Sequence, residues 1–161
     1  MLRRTDEMTK REKTVSAVLL TIICLTLAFI FYQSLLPPSL SKNESDTVAE
    51  VLSLVFGEDS FVVENIRTIA HFLEYGLLGV EVSVYLCLFA NKLFVSSAIS
   101  FALSLGVAIF DETIQIFSGR ATELKDVITD FSGFVILSLI TYAVYFSVFI
   151  RFGKGINKWL K

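Results

Sequence analysis

Long segments without charged residues constrain this chain more than any other feature of its sequence. Residues 14–41 form a run of 28 residues with no formal charge, 93–110 a run of 18, and 131–150 a run of 20. A helix needs about 20 mostly apolar residues to cross a hydrocarbon core ~30 Å thick. The 161 residues are 54% hydrophobic and only 19% charged, whereas soluble domains average roughly 25% charged residues. The sequence therefore predicts an all-α integral membrane protein.

The first apolar segment has a second interpretation, a cleaved signal peptide. The apolar part of a signal peptide is only about 7–15 residues long and leads to a small-residue cleavage site. Here the apolar run is longer and ends in Phe29-Ile30-Phe31-Tyr32. We therefore expect a retained first span.

A fourth span is predicted at 66–89, although this segment contains Arg67, His71, Glu74 and Glu81. At about 100° per residue, these side chains and Tyr75 share an arc of about 120° on the helix. Lipid cannot solvate them, so the arc should face the protein interior. The expected fold is a four-transmembrane-helix bundle. Its spans are predicted at about 15–36, 66–89, 93–112 and 127–149, in a membrane domain 14–150 between basic tails at 1–13 and 151–161.

The distribution of Lys and Arg predicts the orientation of the bundle. Ten of the fourteen lie in the two tails and in the turn after the second span. Cytoplasmic segments of membrane proteins are enriched in these residues. Both termini are therefore expected in the cytoplasm, with residues 33–65 and 111–125 outside.

The first outer segment, 33–65, is expected to contain an additional amphipathic helix. Pro37-Pro38 should end the first span. Residues 45–56 can then form a helix with Val48, Val51, Leu52 and Val55 on one face. Such a helix could lie on the outer membrane surface or cover a site as a lid. The alternative is a connector that merely rests on the bundle.

Polar residues from three segments should meet at the outer end of the bundle, because each segment starts or ends there. Each of them also has an ordinary structural explanation: a hydrogen-bonded interior histidine, for example, or an arginine that neutralises neighbouring carboxylates. Their convergence at one depth favours a common site. The candidate catalytic residues are His71, Glu74, Asp111 and Glu112, and the candidate ligand-binding residues are Tyr75, Gln115, Arg120, Asp126 and Asp130.

Three sequence blocks in this order resemble the VanZ-like family of small membrane proteins. They are His71-Phe-Leu-Glu74-Tyr75-Gly76, Asp111-Glu112-Thr-Ile-Gln115-Ile-Phe-Ser-Gly119-Arg120 and Asp126-Val-Ile-Thr-Asp130-Phe-Ser-Gly133. The resemblance covers about residues 14–149. That family takes its name from a protein associated with low-level teicoplanin resistance in Gram-positive bacteria. The resemblance therefore implies a role at the outer face of the bacterial plasma membrane, near cell-wall precursors.

Two positions depart from the family pattern. Asp130 stands where Asn is common, and Leu137 stands where a second Gly is frequent. The first change adds charge to the candidate site, and the second bears on how closely helices pack there.

Three functions are compatible with these residues. A non-enzymatic protein could bind membrane lipid or a lipid-linked cell-wall precursor, because the Arg120 guanidinium suits a phosphate or carboxylate. A membrane enzyme could use the same acids and His71 as acid and base, or hold a divalent ion. One His among many oxygens favours Mg²⁺ over zinc, and no other cofactor is expected. A small transporter is disfavoured because the polar groups gather at one end.

Nucleic acid is not an expected partner. The net charge is −2 and the middle of the chain carries no basic patch, so the electrostatic footprint of a nucleic-acid-binding protein is missing.

The predicted topology can be tested with reporter fusions. A reporter after residue 161 should be cytoplasmic, and one inserted near Asn43 should be outside, because of the Lys and Arg distribution. Alkaline phosphatase and a fluorescent protein, which are active on opposite sides, serve as mutual controls. The same side for both positions would contradict the topology.

Overall fold

A computed structural model of the chain describes residues 8–57, 60–120 and 124–152. Within these ranges the chain is helical and contains no strand. The helices are α1 (Lys10–Leu35), α2 (Pro38–Phe56), α3 (Phe61–Glu64), α4 (Ile66–Phe89), α5 (Leu93–Phe117) and α6 (Leu124–Phe152). Four of them, α1, α4, α5 and α6, are long and apolar enough to cross a membrane. The predicted all-α class with four spans is confirmed, while most of the two predicted basic tails lies outside the described residues.

The ends of the first two helices follow from local sequence signals. α1 begins with a capping box, in which the Glu12 amide donates to Thr9 Oγ1 at 3.2 Å and the Thr9 amide donates to Glu12 Oε2 at 3.0 Å. It ends at Leu35, just before the proline pair. α2 then starts at Pro38 rather than at residue 45. Proline is well suited to the first position of a helix, where its missing N–H costs nothing, so the second proline starts α2.

The bundle is apolar outside and polar inside. Leu25 on α1, Leu103 on α5 and Val144 on α6 are each more than half exposed, as expected of side chains that face lipid. The interior contains a small apolar cluster that includes Ile30 and Phe134. It also contains fully buried polar side chains, including Ser83, Ser104, Asp111, Gln115, Asp130 and Ser138.

The most extensive helix contact joins α4 and α6, which run parallel. Two contacts with the same sequence offset of 59 define their register: His71 to Asp130, and the Ser138 hydroxyl, which donates to the Gly79 carbonyl at 3.1 Å. Glycines make this approach possible. A Cβ atom on Gly133 would overlap the Phe72 carbonyl, and one on Gly79 would overlap the Phe134 carbonyl. Small residues at such interfaces let helix backbones come close in a membrane.

Leu137, which stands where the VanZ-like pattern often has glycine, fits this interface for a specific reason. It lies opposite Gly76, where an added Cβ would be only 3.0 Å from Leu137 Cγ. The glycine on α4 thus provides the space that the leucine on α6 fills.

Gly133→Ala tests the importance of this close contact. The added methyl would force α4 and α6 apart, and overpacking of this kind costs about 1–3 kcal/mol. We expect a clearly lower thermal unfolding midpoint for the purified protein in detergent.

Gly106→Ala on α5 is the matched control, because an added Cβ there meets no atom within 4 Å. Equal midpoints for Gly133→Ala and Gly106→Ala would contradict the interface described here.

Candidate functional site

The register of α4 and α6 brings His71 to Asp130 near one end of the bundle. His71 Nδ1 lies 3.1 Å from Asp130 Oδ1, and the side chains are 13% and 0% exposed. His71 lies in the second turn of α4, and Asp130 lies in the second turn of α6. Their pairing therefore depends directly on the parallel packing of the two helices.

Asp111, near the end of α5, is held by a network that includes α1 and α4. The Ser34 hydroxyl of α1 donates to Asp111 Oδ1. The side-chain amide of Gln115 donates through Nε2 to Asp111 Oδ2 at 3.2 Å. Gln115 Oε1 in turn accepts a hydrogen bond from Arg67 Nη2 at 3.1 Å. Both oxygens of this buried carboxylate are thus satisfied by neutral donors, while the arginine bonds to the amide.

His71, Asp111 and Asp130 form one cluster. Each offers a potential metal-ligating atom, and these atoms all lie within 4.8 Å of one another. Several acidic oxygens here lack a hydrogen-bond partner among the described residues. They are Asp130 Oδ2 and both carboxylate oxygens of Glu112. Glu112 itself is 5% exposed.

A cavity of about 220 Å³ opens beside this cluster. Its walls come from the end of α1, from α2 and from the first turns of α4. The polar residues lining it include His71, Glu74, Arg67 and Arg120, and α2 contributes Ser41, Ser45 and Val48. The predicted outer helix therefore does line a polar cavity, while its Val51, Leu54 and Val55 remain largely exposed.

Arg120 follows the end of α5 and is positioned by backbone contacts. Gly119 adopts a positive φ of 78°, a left-handed conformation that suits glycine at the end of a helix. The Ser118 hydroxyl donates to the Ser34 carbonyl at 2.7 Å and so ties α5 to α1. Arg120 Nη1 then donates to the Gln33 carbonyl at 3.1 Å. Burial lowers the pKa of Arg120, and the nearby positive charge of Arg67 lowers that pKa further.

The nine residues named from the sequence separate into three groups. His71, Glu74 and Arg120 line the cavity. Asp111 and Asp130 belong to the cluster with His71. The other four residues do not line the cavity. Tyr75 is fully buried in the apolar core, and Gln115 joins Arg67 to Asp111. Glu112 is buried on α5, and Asp126 is half-buried in the first turn of α6.

A lid over a site was one of the expectations for the segment 33–65, but Ser34 of α1 and the serines of α2 were not among the predicted site residues. Ser34 is one of several hydroxyl side chains in α1, and serine in such a helix is usually explained by packing. Ser41 and Ser45 lie in a segment whose docking position no pattern indicates. Arg67 carried a usable signal, because it lies on the same helix arc as His71 and Glu74.

These features define a multi-pass membrane protein with a polar cluster and cavity at one end of its helical bundle. The sequence profile of the VanZ/LLP1 family matches residues 18–148, and the chain belongs to this family. No curated protein and no solved structure shows significant similarity to the chain.

Proposed function

We propose that this VanZ-family protein binds the anionic group of a lipid or lipid-linked cell-envelope intermediate, in a cavity on the outer side of the bacterial plasma membrane. The ligand group is a phosphate or a carboxylate. By binding this intermediate, the protein contributes to resistance to glycopeptides of the teicoplanin type, the role that its family resemblance implies.

Two guanidinium groups at one cavity are the observation that carries this proposal. Arg67 and Arg120 both line it. Among the described residues, each has one hydrogen-bond acceptor, a neutral oxygen: Gln115 Oε1 for Arg67 and the Gln33 carbonyl for Arg120. A guanidinium has five N–H donors, so most donors remain available. An anion between the two groups would also offset the repulsion that lowers the pKa of Arg120.

The cavity has room for the anionic headgroup of a lipid. About 220 Å³ is room for about seven water molecules at ~30 Å³ each, which is enough for a phosphate group. A second open cavity of about 300 Å³ has Arg67 and Arg120 in its lining as well. The apolar surfaces of the neighbouring helices are where we expect the lipid chains to lie.

Arg120→Lys tests the proposed ligand contact. Lysine keeps the charge, but it loses the planar fork that binds phosphate with two hydrogen bonds. Loss of one charge-assisted hydrogen bond costs about 1.5–3 kcal/mol, which corresponds to roughly 10- to 100-fold weaker binding. Phosphatidic acid in detergent is the probe, and diacylglycerol with the same chains is the ligand control.

Three further measurements make this test specific. Lys92→Gln, in the turn between α4 and α5, is the matched protein control and should bind the probe like the wild type. The unfolding midpoint of Arg120→Lys should equal that of the wild type. In cells, the minimum inhibitory concentration of teicoplanin should fall for Arg120→Lys and should stay at the wild-type value for Lys92→Gln. Unchanged affinity, or a parallel loss of affinity and stability, would show that Arg120 does not bind the ligand through its fork.

A second candidate function is chemistry on the same phosphate. The observation that favours it is His71, which both lines the cavity and belongs to the cluster with Asp111 and Asp130, so a phosphate bound in the cavity would face an imidazole that is backed by two carboxylates. The membrane enzyme would then use acid and base groups or a divalent ion. Release of inorganic phosphate from phosphatidic acid, abolished in His71→Gln, would establish this function. Binding without release would leave the non-enzymatic function.

A further inference from the structure

The cluster of His71, Asp111 and Asp130 has the composition of a cation site. An imidazole nitrogen and two carboxylate oxygens, each from a different helix, lie within 4.8 Å of one another. Both carboxylates are buried, at 1% and 0% exposure. We propose that these three side chains bind a divalent cation of the Mg²⁺ and Mn²⁺ class beside the arginine-lined cavity.

The spacing of the donor atoms suits this ion class. Ligands about 2.1 Å from an octahedral ion are about 3.0 Å apart when adjacent and about 4.2 Å apart when opposite. The 3.1 Å between His71 Nδ1 and Asp130 Oδ1 is the separation of an adjacent pair. The Asp111 oxygen lies within 4.8 Å of the other two ligand atoms, a bound slightly beyond the limit of about 4.2 Å, so it would have to move a short distance towards the ion while Ser34 and Gln115 still hold its carboxylate.

A buried polar atom without a partner is an independent indication of a missing ligand. Asp130 is fully buried, yet its Oδ2 atom has no hydrogen-bond partner among the described residues. An uncompensated carboxylate oxygen in a low-dielectric interior is expensive. Coordination of a cation would satisfy it without any change in the backbone.

The charge balance around the cluster points the same way. Glu112 is buried with both oxygens unpartnered among the described residues, and it lies within electrostatic range of His71, Asp111 and Asp130. The nearest guanidinium groups, Arg67 and Arg120, hydrogen-bond to neutral oxygens instead of these carboxylates. Within the described ranges, the basic side chain at ion-pair distance from these carboxylates is His71, and it carries a charge only when it is protonated. A divalent ion would supply the missing positive charge.

The donor set decides between classes of ion. Carboxylates and water suit Mg²⁺ and Mn²⁺, whereas sites with several imidazoles or thiolates suit zinc. Three protein ligands leave about half of an octahedral shell for water, as is usual for Mg²⁺. Because His71 also lines the cavity, water in the cavity could occupy the coordination positions of the ion that the protein leaves open.

Titration with Mn²⁺ tests the site in the full chain, purified in detergent without a polyhistidine tag and treated with EDTA. We expect about one equivalent of Mn²⁺ to bind, measured as loss of the free-ion signal in electron paramagnetic resonance. Mg²⁺ should displace it. Asp130→Asn, which keeps the size of the side chain, should weaken binding at least about tenfold.

Glu81→Gln is the matched control, because Glu81 is a half-buried carboxylate whose Oε2 atom also has no hydrogen-bond partner among the described residues. Glu81 also lies on α4, but it accepts a hydrogen bond from Thr26 at 2.9 Å, away from the cluster. Its substitution should leave Mn²⁺ affinity unchanged. Pulsed measurements on the wild type provide a readout that needs no variant, because a nitrogen coupling from the imidazole of His71 is expected on the bound Mn²⁺.

Several results would overturn the proposed cation site. These are absence of stoichiometric Mn²⁺ binding, bound Mn²⁺ without nitrogen coupling, failure of Mg²⁺ to compete, or wild-type affinity in Asp130→Asn. The phosphate-binding proposal is judged separately, by binding of phosphatidic acid in the presence of EDTA. Lipid binding without Mn²⁺ binding rejects the cation site alone, and the reverse result rejects the lipid-binding function alone.

Discussion

The close approach of α4 and α6 is the constraint on which the rest of the site depends. Gly79 and Gly133 place backbone against backbone, at positions where even a methyl group would overlap a carbonyl oxygen. This contact fixes a parallel register, and that register places His71 3.1 Å from Asp130. A shift of one residue would rotate either side chain by about 100° and separate the pair. The geometry of the His71–Asp130 pair therefore depends on how α4 and α6 pack.

A second constraint comes from the membrane. Apolar surfaces gain little by leaving lipid for a protein interior, so the interior of such a bundle is held by close packing and by hydrogen bonds between helices. Ser34 to Asp111, Ser138 to Gly79 and Arg67 to Gln115 are contacts of this kind. Some buried oxygens have no hydrogen-bond partner among the described residues: those of Tyr75, Glu81 and Ser83, and at the polar end of the bundle those of Asp130 and Glu112.

Much of the fold and part of the site could be predicted from residue spacing. The uncharged runs identified three of the four spans, and the shared arc of Arg67, His71 and Glu74 indicated which side of α4 faces polar partners. The same reasoning could not separate Tyr75 from Glu74. These neighbours on one helix differ by about 100°, and the structure places the tyrosine in the apolar core and the glutamate at the cavity. Asp126, four residues before Asp130, likewise lies outside the cavity lining.

The sequence by itself determined the class of protein, its four spans and the end of the bundle where polar residues gather. It did so because hydropathy and helical periodicity are local properties that a single helix already expresses. Only the tertiary structure decided that Asp130 pairs with His71, that Ser34 holds Asp111, and that α2 lines the cavity. Those outcomes depend on the rotation and register of helices far apart in the chain. Packing sets both, and no spacing within one helix encodes them.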